Sequence, residues 1–252
     1  MKKLFLMLIF MGITSIAFSD LTMTYVFEDH ESGEKQTSVI YLSKDKVRSE
    51  NKVEGMAFAS IGRMDKDVLW MIRPDKKIYA EMTMAEMRRM EEQAMEYEAS
   101  ARSMMEEQLK HMSEEEKAQY REFMGFDGED DTPLKYVKKG QDRVGKWTCT
   151  IYEGMRHGEK IEEICTVPLS TLGVVKKDFE ALAKMSKNDD GFLKDWKEAE
   201  KMGFPVRTIE FEDGEAITTN LILSFEKKTV PAAMFEIPAG YKKVSMMGLY
   251  GE

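Results

Sequence analysis

The chain has 252 residues, of which 33% are charged and 42% hydrophobic, and it carries a net charge of −9 at pH 7. This length supports one substantial core and is short for two domains, so we expect a single domain with an insertion. The negative charge argues against nucleic acid and against anionic lipid surfaces as partners.

The N-terminal segment has the pattern of an export signal. Two lysines precede an apolar run over residues 4–16, and a small-x-small motif ends at Ser19. The pattern predicts a signal peptide over residues 1–19, cut between Ser19 and Asp20, and therefore a periplasmic protein. The residue after the cut is not cysteine and the run is shorter than the ~20 residues of a membrane span, so we expect no membrane anchor after cleavage. An uncleaved anchor is the alternative.

Short segments of alternating apolar and polar residues follow the predicted cut. In the first, Leu21, Met23, Tyr25 and Phe27 share one face, which predicts a strand with one buried side. Further segments of this kind predict an antiparallel meander. They lie at about 37–42, 46–50, 56–61, 68–72 and 78–81.

A Met- and Glu-rich helical insertion is predicted at about 83–131. Thr83 and Glu86 form a capping box, which marks the start of a helix. Apolar residues then recur at steps of three and four, as in an amphipathic helix: Met87, Met90, Ala94, Tyr97, Ala101 and Met104. A second capping box at Ser113 and Glu116 predicts a shorter helix to about Met124.

The two cysteines are predicted to form a disulfide across a hairpin. Residues 147–153 and 161–167 both alternate, and Arg156-His157-Gly158 lies midway as a three-residue loop. This register puts Cys149 opposite Cys165, and a lone pair in an oxidising compartment is typical of a disulfide. A redox-active pair is the alternative, although the C-x-x-C spacing is absent.

The remaining elements complete an α+β fold. Helical spacing predicts helices over 170–187 and 192–201, alternation predicts strands over 206–211 and 216–225, and the ordered part is expected to end at Pro238. We predict one large, strongly curved antiparallel sheet with helices against its concave face. Such a sheet leaves an apolar interior for side chains or a ligand.

Patterns that carry catalytic chemistry are missing from the sequence. His30, His111 and His157 show no zinc spacing, and no nucleophile elbow or phosphate-binding loop occurs after residue 19. The acidic residues 127–131 do not match a calcium loop and are typical of a solvated linker. We therefore expect neither an enzyme nor a cofactor.

Methionine is over-represented, with 22 residues. Thioethers are soft ligands suited to Cu(I), so one hypothesis is copper or silver binding through Met84, Met87 and Met90. The other is that methionine fills an adaptable apolar surface, which the helical spacing favours.

Three motifs together resemble the LolA-like superfamily. They are the run from Val68 to Tyr79, Gly203-Phe204-Pro205-Val206, and the run from Phe235 to Tyr241. This superfamily includes the periplasmic carrier of outer-membrane lipoproteins and many secreted relatives of unknown function, some with a similar helical insertion. The resemblance spans residues 20–244 and implies an unclosed β-barrel covered by helices, with a hydrophobic cavity for acyl chains. It does not assign lipoprotein transport.

Three hypotheses of function follow. In the leading one, the chain binds a lipid, an acyl chain or another hydrophobic group between sheet and helices. In the others it binds a soft metal through the Met-rich helices, or docks an envelope protein on the acidic helical insertion. Candidate lining residues for the first are Met23, Tyr25, Phe27, Phe58, Trp70, Tyr79, Met87, Met90 and Met104.

Overall fold

A computed structural model describes residues 20–53, 55–109, 112–113, 116, 132–185 and 201–251. The signal peptide predicted at 1–19 lies outside the described residues. So do most of the second insertion helix, most of the acidic connector and nearly all of the helix predicted at 192–201.

The described strands form a single unclosed sheet of twelve, in the order β12-β6-β5-β4-β3-β2-β1-β11-β10-β9-β8-β7. Every neighbouring pair is antiparallel except β12 and β6. The predicted α+β fold with one large antiparallel sheet is therefore confirmed. The strands are β1 Leu21–Asp29, β2 Lys35–Ser43, β3 Lys46–Val53, β4 Met56–Arg63, β5 Val68–Arg73, β6 Ile78–Thr83, β7 Lys135–Val144, β8 Trp147–Arg156, β9 Glu159–Val167, β10 Phe204–Glu212, β11 Glu215–Lys227 and β12 Lys242–Lys243.

The described helices are short, apart from the first. They are α1 Met84–Leu109, α2 Leu169–Leu172, α3 Glu180–Met185 and α4 Met246–Tyr250, with 3₁₀ turns at Met64–Lys66, Lys176–Phe179 and Ala232–Phe235. The Thr83 capping box is confirmed, because Glu86 N–H donates to Thr83 Oγ1 at 3.0 Å and Thr83 N–H donates to Glu86 Oε2 at 2.7 Å. The helix predicted over 170–187 is interrupted instead, since Gly173 adopts φ +70° and ends α2.

Strand β1 joins two meanders into one sheet. It pairs with β2 on one side and with β11 on the other, so that Leu21 lies opposite both Leu42 and Lys227. The pairing with β11 connects residues about 200 positions apart in the chain. Strand β1, the first strand after the predicted signal peptide, therefore lies near the middle of the sheet.

Strand β7 was missed by sequence reasoning. Most of its residues are exposed, and it is rich in lysine. It forms one edge of the sheet, where a charged strand discourages pairing with other chains. An edge strand of this kind has no apolar alternation to detect.

The hairpin β8–β9 has a tighter turn than predicted. Only His157 and Gly158 form the loop, and both have positive φ, at 52° and 93°. A register shift between Gly154 and Met155 then pairs Cys165 with Ile151 rather than with Cys149. The predicted register was therefore wrong, although the disulfide forms.

The sheet curves around the helical segment 169–185. Phe179 stacks on Phe204 of β10 with ring centroids 5.8 Å apart, and Met185 Sδ lies 2.6 Å from the position of an added Cβ at Gly62 of β4. Strands β4 and β10 are five inter-strand spacings apart, which is about 24 Å on a flat sheet. The helical rise from Phe179 to Met185 is only about 9 Å. The face that carries this segment is concave.

The C-terminal segment continues beyond the predicted end at Pro238. It crosses the opposite, convex face, adds β12 beside β6, and ends in α4 on the concave side of β5 and β6. The prediction of an ordered part ending at Pro238 was wrong, because the residues that hold this segment lie far away in the sequence.

Candidate ligand-binding face

The concave core is packed under the helical segment by aromatic and aliphatic side chains. Phe225 contacts Phe179 and Phe204 edge-on, with centroids 6.4 and 5.5 Å away, and Trp147 lies 6.2 Å from it. Leu21 and Met23 of β1 belong to the same cluster and are buried. This end of the concave face is filled by the protein's own side chains.

The disulfide lies inside this core. Cys149 and Cys165 are 2% and 0% exposed, and their Cα atoms are 5.4 Å apart. The predicted disulfide is confirmed. It links β8 to β9 beneath the helical segment.

Burial decreases along β1 beyond Met23. Residues 21–23 are buried, whereas residues 24–29 are all half-buried. Tyr25 and Phe27 point to the same face as Met23 because side chains alternate along a strand, and Tyr25 pairs with Ile222 of β11 while Met23 pairs with Ile40 of β2. Tyr25, Phe27, Ile40 and Ile222, all half-buried, form what we call the concave strip.

A second apolar cluster on the concave side is built mainly from methionine. Leu69, Met82 and Met84 are buried there. Four half-buried methionines complete what we call the methionine cluster: Met64, Met87, Met185 and Met246. The cluster brings together the 3₁₀ turn after β4, the end of β6, the start of α1, the end of α3 and the start of α4.

Trp70 and Tyr79 lie on the convex face. Trp70 is adjacent to Leu69, whose side chain belongs to the methionine cluster, so alternation directs Trp70 to the other side. There it packs with Ile61, Ile72 and Phe235, and Tyr79 packs at the margin. The indole Nε1 of Trp70 donates to Glu81 at 2.8 Å.

The remaining candidates also occupy separate places. Phe58 is on the concave side near α4, where its ring stacks on Tyr250 at 6.4 Å and faces the Arg73 guanidinium at 4.8 Å. Met87 joins the methionine cluster, whereas Met90 and Met104 are 58% and 66% exposed on α1. The structure thus brings Met23, Tyr25 and Phe27 together and separates the other six from them.

A buried arginine, Arg63, and a half-buried one, Arg48, attach the C-terminal segment to the sheet. Arg63 donates to both carboxylate oxygens of Asp65 at 2.7 Å and also bonds Glu236, and these carboxylates raise its pKa. Arg48 donates to the main-chain oxygen of Met234 at 3.0 Å. The C-terminal segment therefore covers the convex face around Trp70 and Ile61.

Sequence reasoning missed three members of the methionine cluster, namely Met64, Met185 and Met246. The only available signal was the abundance of methionine, because the three residues belong to short elements far apart in the chain.

Among the described residues, no three His, Cys, Asp or Glu side chains come together so as to hold a metal ion. None of the described helices is long and apolar enough to cross a membrane.

The fold and the site define an unclosed antiparallel sheet curved around a short helical segment, with a partly open apolar face. A family model described as a domain of unknown function, DUF4412, matches residues 92–241, which is more than half of the chain. The chain belongs to this family. A comparison with functionally curated proteins found no match.

Several solved structures are similar at low identity. An uncharacterized conserved protein from Thermus thermophilus is 8% identical, with a TM-score of 0.44 and 91% of each chain covered. The MucA/MucB complex of Pseudomonas aeruginosa is 9% identical, with a TM-score of 0.40, and the match covers 90% of this chain and 58% of that chain. A crystal structure of MucB is 7% identical, with a TM-score of 0.40 and coverages of 88% and 58%. At this level of similarity, none of these structures identifies a ligand or an activity for the chain.

Proposed function

We propose that the chain is a periplasmic, non-enzymatic binding protein that holds an acyl chain or another hydrophobic group against the concave strip. The observation that carries the proposal is the fall in burial along β1, from fully buried Leu21 to half-buried Tyr25 and Phe27 on the same face. Ligand sites are lined predominantly by hydrophobic and aromatic side chains, which is the composition of the concave strip.

An acyl chain carries enough apolar surface to bind at the strip with useful affinity. Each methylene group removed from water contributes about 0.8 kcal/mol. About ten buried methylenes therefore supply roughly 8 kcal/mol, the free energy of micromolar binding, before the costs of association. The flat rings of Tyr25 and Phe27 offer a large contact area for such a chain.

Bound lipid is the direct test. The protein is purified from the periplasm, extracted with organic solvent and analysed by mass spectrometry, and the emptied protein is titrated with the fluorescent fatty acid cis-parinaric acid. We expect a co-purifying lipid and saturable probe binding, and Phe27→Gln should weaken probe binding at least tenfold. Val137→Gln, at an exposed position of edge strand β7, is the matched control and should bind normally. Protein that is empty and also ignores the probe contradicts the proposal.

The predicted export signal supports the periplasmic location. Protein recovered from the periplasmic fraction should begin at Asp20 when its N-terminal residues are sequenced. A chain that keeps residues 1–19 and remains with the membrane would contradict cleavage.

A second candidate function is docking of an envelope protein on α1. The helix exposes Met90, Met95, Tyr97 and Met104, with Tyr97 at 79%. The sequence of α1 contains seven glutamates and three arginines, so a basic amphipathic segment is the complementary partner. Met90→Glu with Tyr97→Glu should abolish capture of such a partner in cross-linking from intact cells, and Met247→Glu, exposed outside α1, should not. Unchanged cross-links in the α1 variant would contradict this role.

A further inference from the structure

The methionine cluster gathers thioether sulfurs from five elements of the concave side. Six of its seven members are methionines, and three of these come from outside the helical insertion and β6: Met64, Met185 and Met246. Leucine would fill such a space with a more rigid side chain and better-defined packing. The concentration of one flexible, sulfur-containing residue therefore calls for a chemical reason as well as a packing one.

Gly62 brings two of these sulfurs together. An added Cβ at Gly62 would lie 2.6 Å from Met185 Sδ and 3.6 Å from Met64 Sδ. Because both sulfurs lie this close to one point, they are at most about 6.2 Å apart. The missing side chain at Gly62 opens the space in which the two thioethers meet.

Asp45 is hydrogen-bonded to Met64 and to the residue that precedes Met185. Its main-chain oxygen accepts a hydrogen bond from Met64 N–H at 3.0 Å, and its carboxylate accepts one from Lys184 Nζ, next to Met185, at 2.6 Å. On the other side of the cluster, Met84 N–H donates to the main-chain oxygen of Asp67 at 3.3 Å. The backbones that carry the sulfurs are thus tied to adjoining turns of the sheet.

Neutral thioether sulfurs are soft ligands, and they suit Cu(I) rather than the harder divalent ions. Burial of Leu69, Met82 and Met84 provides an apolar floor, while half-buried Met64, Met87, Met185 and Met246 leave a route from solvent. We propose that the methionine cluster binds one soft monovalent cation, Cu⁺, with Met64 and Met185 as central ligands and Met84 or Met87 completing the set. The ion keeps its charge and the thioethers release no proton.

This site differs from the one that the sequence suggested. Met84 and Met87 belong to the cluster, but Met90 is exposed and points away from it. The ligands come instead from elements that are distant in the chain. Met64 and Met185 also pack against the core cluster that Tyr25, Ile40 and Ile222 border. The two proposals have separate readouts, because transfer of Cu⁺ and binding of a fatty acid are measured independently.

The test is a competition for Cu⁺ between the full mature chain and the chelator bathocuproine disulfonate, in the absence of oxygen. We expect one equivalent of Cu⁺ to transfer to the protein. Met64→Leu with Met185→Leu should weaken Cu⁺ binding at least a hundredfold while leaving a cooperative unfolding transition, since exchange of methionine for leucine conserves volume. Met90→Leu with Met104→Leu is the matched control and should bind Cu⁺ as the wild type does.

Two further readouts separate a thioether site from other ligands. Methionine does not titrate, so Cu⁺ affinity should stay constant between pH 6 and 8 once the chelator's own protonation is included. Methyl resonances of Met64 and Met185 should shift when Ag⁺, a redox-inert soft ion, is added. No transfer of Cu⁺, an equal loss in the control variant, or methyl shifts confined to exposed methionines would overturn the proposal and leave packing as the role of the cluster.

Discussion

The guanidinium of Arg63 on β4 donates a hydrogen bond of 3.1 Å to the main-chain oxygen of Phe235, 172 residues away. Arg63 is buried, and Phe235 is the centre of the convex cluster. A charged residue on the sheet thus secures the apolar segment that covers its convex side.

Replacement of Arg63 by methionine should loosen this cover. The change leaves the oxygen of Phe235 without its donor, but Asp65 and Glu236 are partly exposed and can be hydrated, so we expect a loss of about 1–3 kcal/mol in the free energy of unfolding. Urea unfolding measures it. Lys66→Met, at an exposed position that also pairs with Glu236, should change stability by less than about 0.5 kcal/mol. Equal effects of the two changes would contradict a special role for Arg63.

The disulfide should contribute substantially to stability. Cys149 and Cys165 are separated by 16 residues, and a closed loop of this size stabilises a fold by about 3 kcal/mol in the chain-entropy model. The double variant Cys149→Ala, Cys165→Ala should therefore unfold at lower urea concentration. Dithiothreitol should destabilise the wild type and leave the double variant unchanged. A wild type insensitive to reduction under unfolding conditions would argue against this contribution.

Glu162 should make stability depend on pH. Its carboxyl accepts a hydrogen bond from the Tyr136 hydroxyl, and burial raises its pKa above the ordinary 4.5, with repulsion from Glu210 acting in the same direction. Because its pKa is raised in the folded state, the contribution of Glu162 to the free energy of unfolding is fully present below pH 4.5. It is lost as the pH rises through the folded-state pKa. Glu162→Gln should therefore gain stability over the wild type with rising pH, measured by urea unfolding at several pH values.

Glu153→Gln is the control, because the pKa of Glu153 is shifted in the opposite direction. The Lys139 ammonium lowers the pKa of Glu153, so that its contribution is present above the unfolded value and lost in acid. This variant should be less stable than the wild type at neutral pH and equal to it in acid. A gain at neutral pH in both variants would point to a general charge effect rather than to burial of Glu162.

Gly203 should tolerate no side chain. It adopts φ +98°, and an added Cβ would lie 2.9 Å from the main-chain oxygen of Val167 on the neighbouring strand. Gly203→Ala is expected to cost roughly 1–3 kcal/mol, measured by thermal or urea unfolding. Gly140→Ala, where nothing lies within 4 Å and φ is not positive, is the control and should cost less.

Local patterns predicted the elements well where one face is buried. The alternation of Leu21, Met23, Tyr25 and Phe27 marked β1, and the Thr83 and Glu86 pair marked the start of α1. Such signals depend only on neighbouring residues, whose spacing is visible in the chain. Strand β7 escaped because an exposed, lysine-rich edge has no such spacing.

The candidate site was less predictable because it depends on register and curvature. Trp70 and Tyr79 are apolar strand residues like Tyr25, and nothing in their own strands tells which face of the sheet they occupy. The shorter turn and the bulge in hairpin β8–β9 likewise moved Ile151 opposite Cys165, two residues from the predicted partner Cys149. Such shifts depend on turn conformation, and apolar content alone does not reveal them.

The sequence by itself determined most of the elements with one buried face, the two capping boxes and the pairing of Cys149 with Cys165. Each follows from nearby residues or from a count of two. Only the tertiary structure decided that β1 pairs with β11, that the C-terminal segment covers Trp70, and that Met64, Met185 and Met246 meet. These contacts join distant residues through a curved sheet. Curvature arises from packing of the whole core, so no local pattern encodes it.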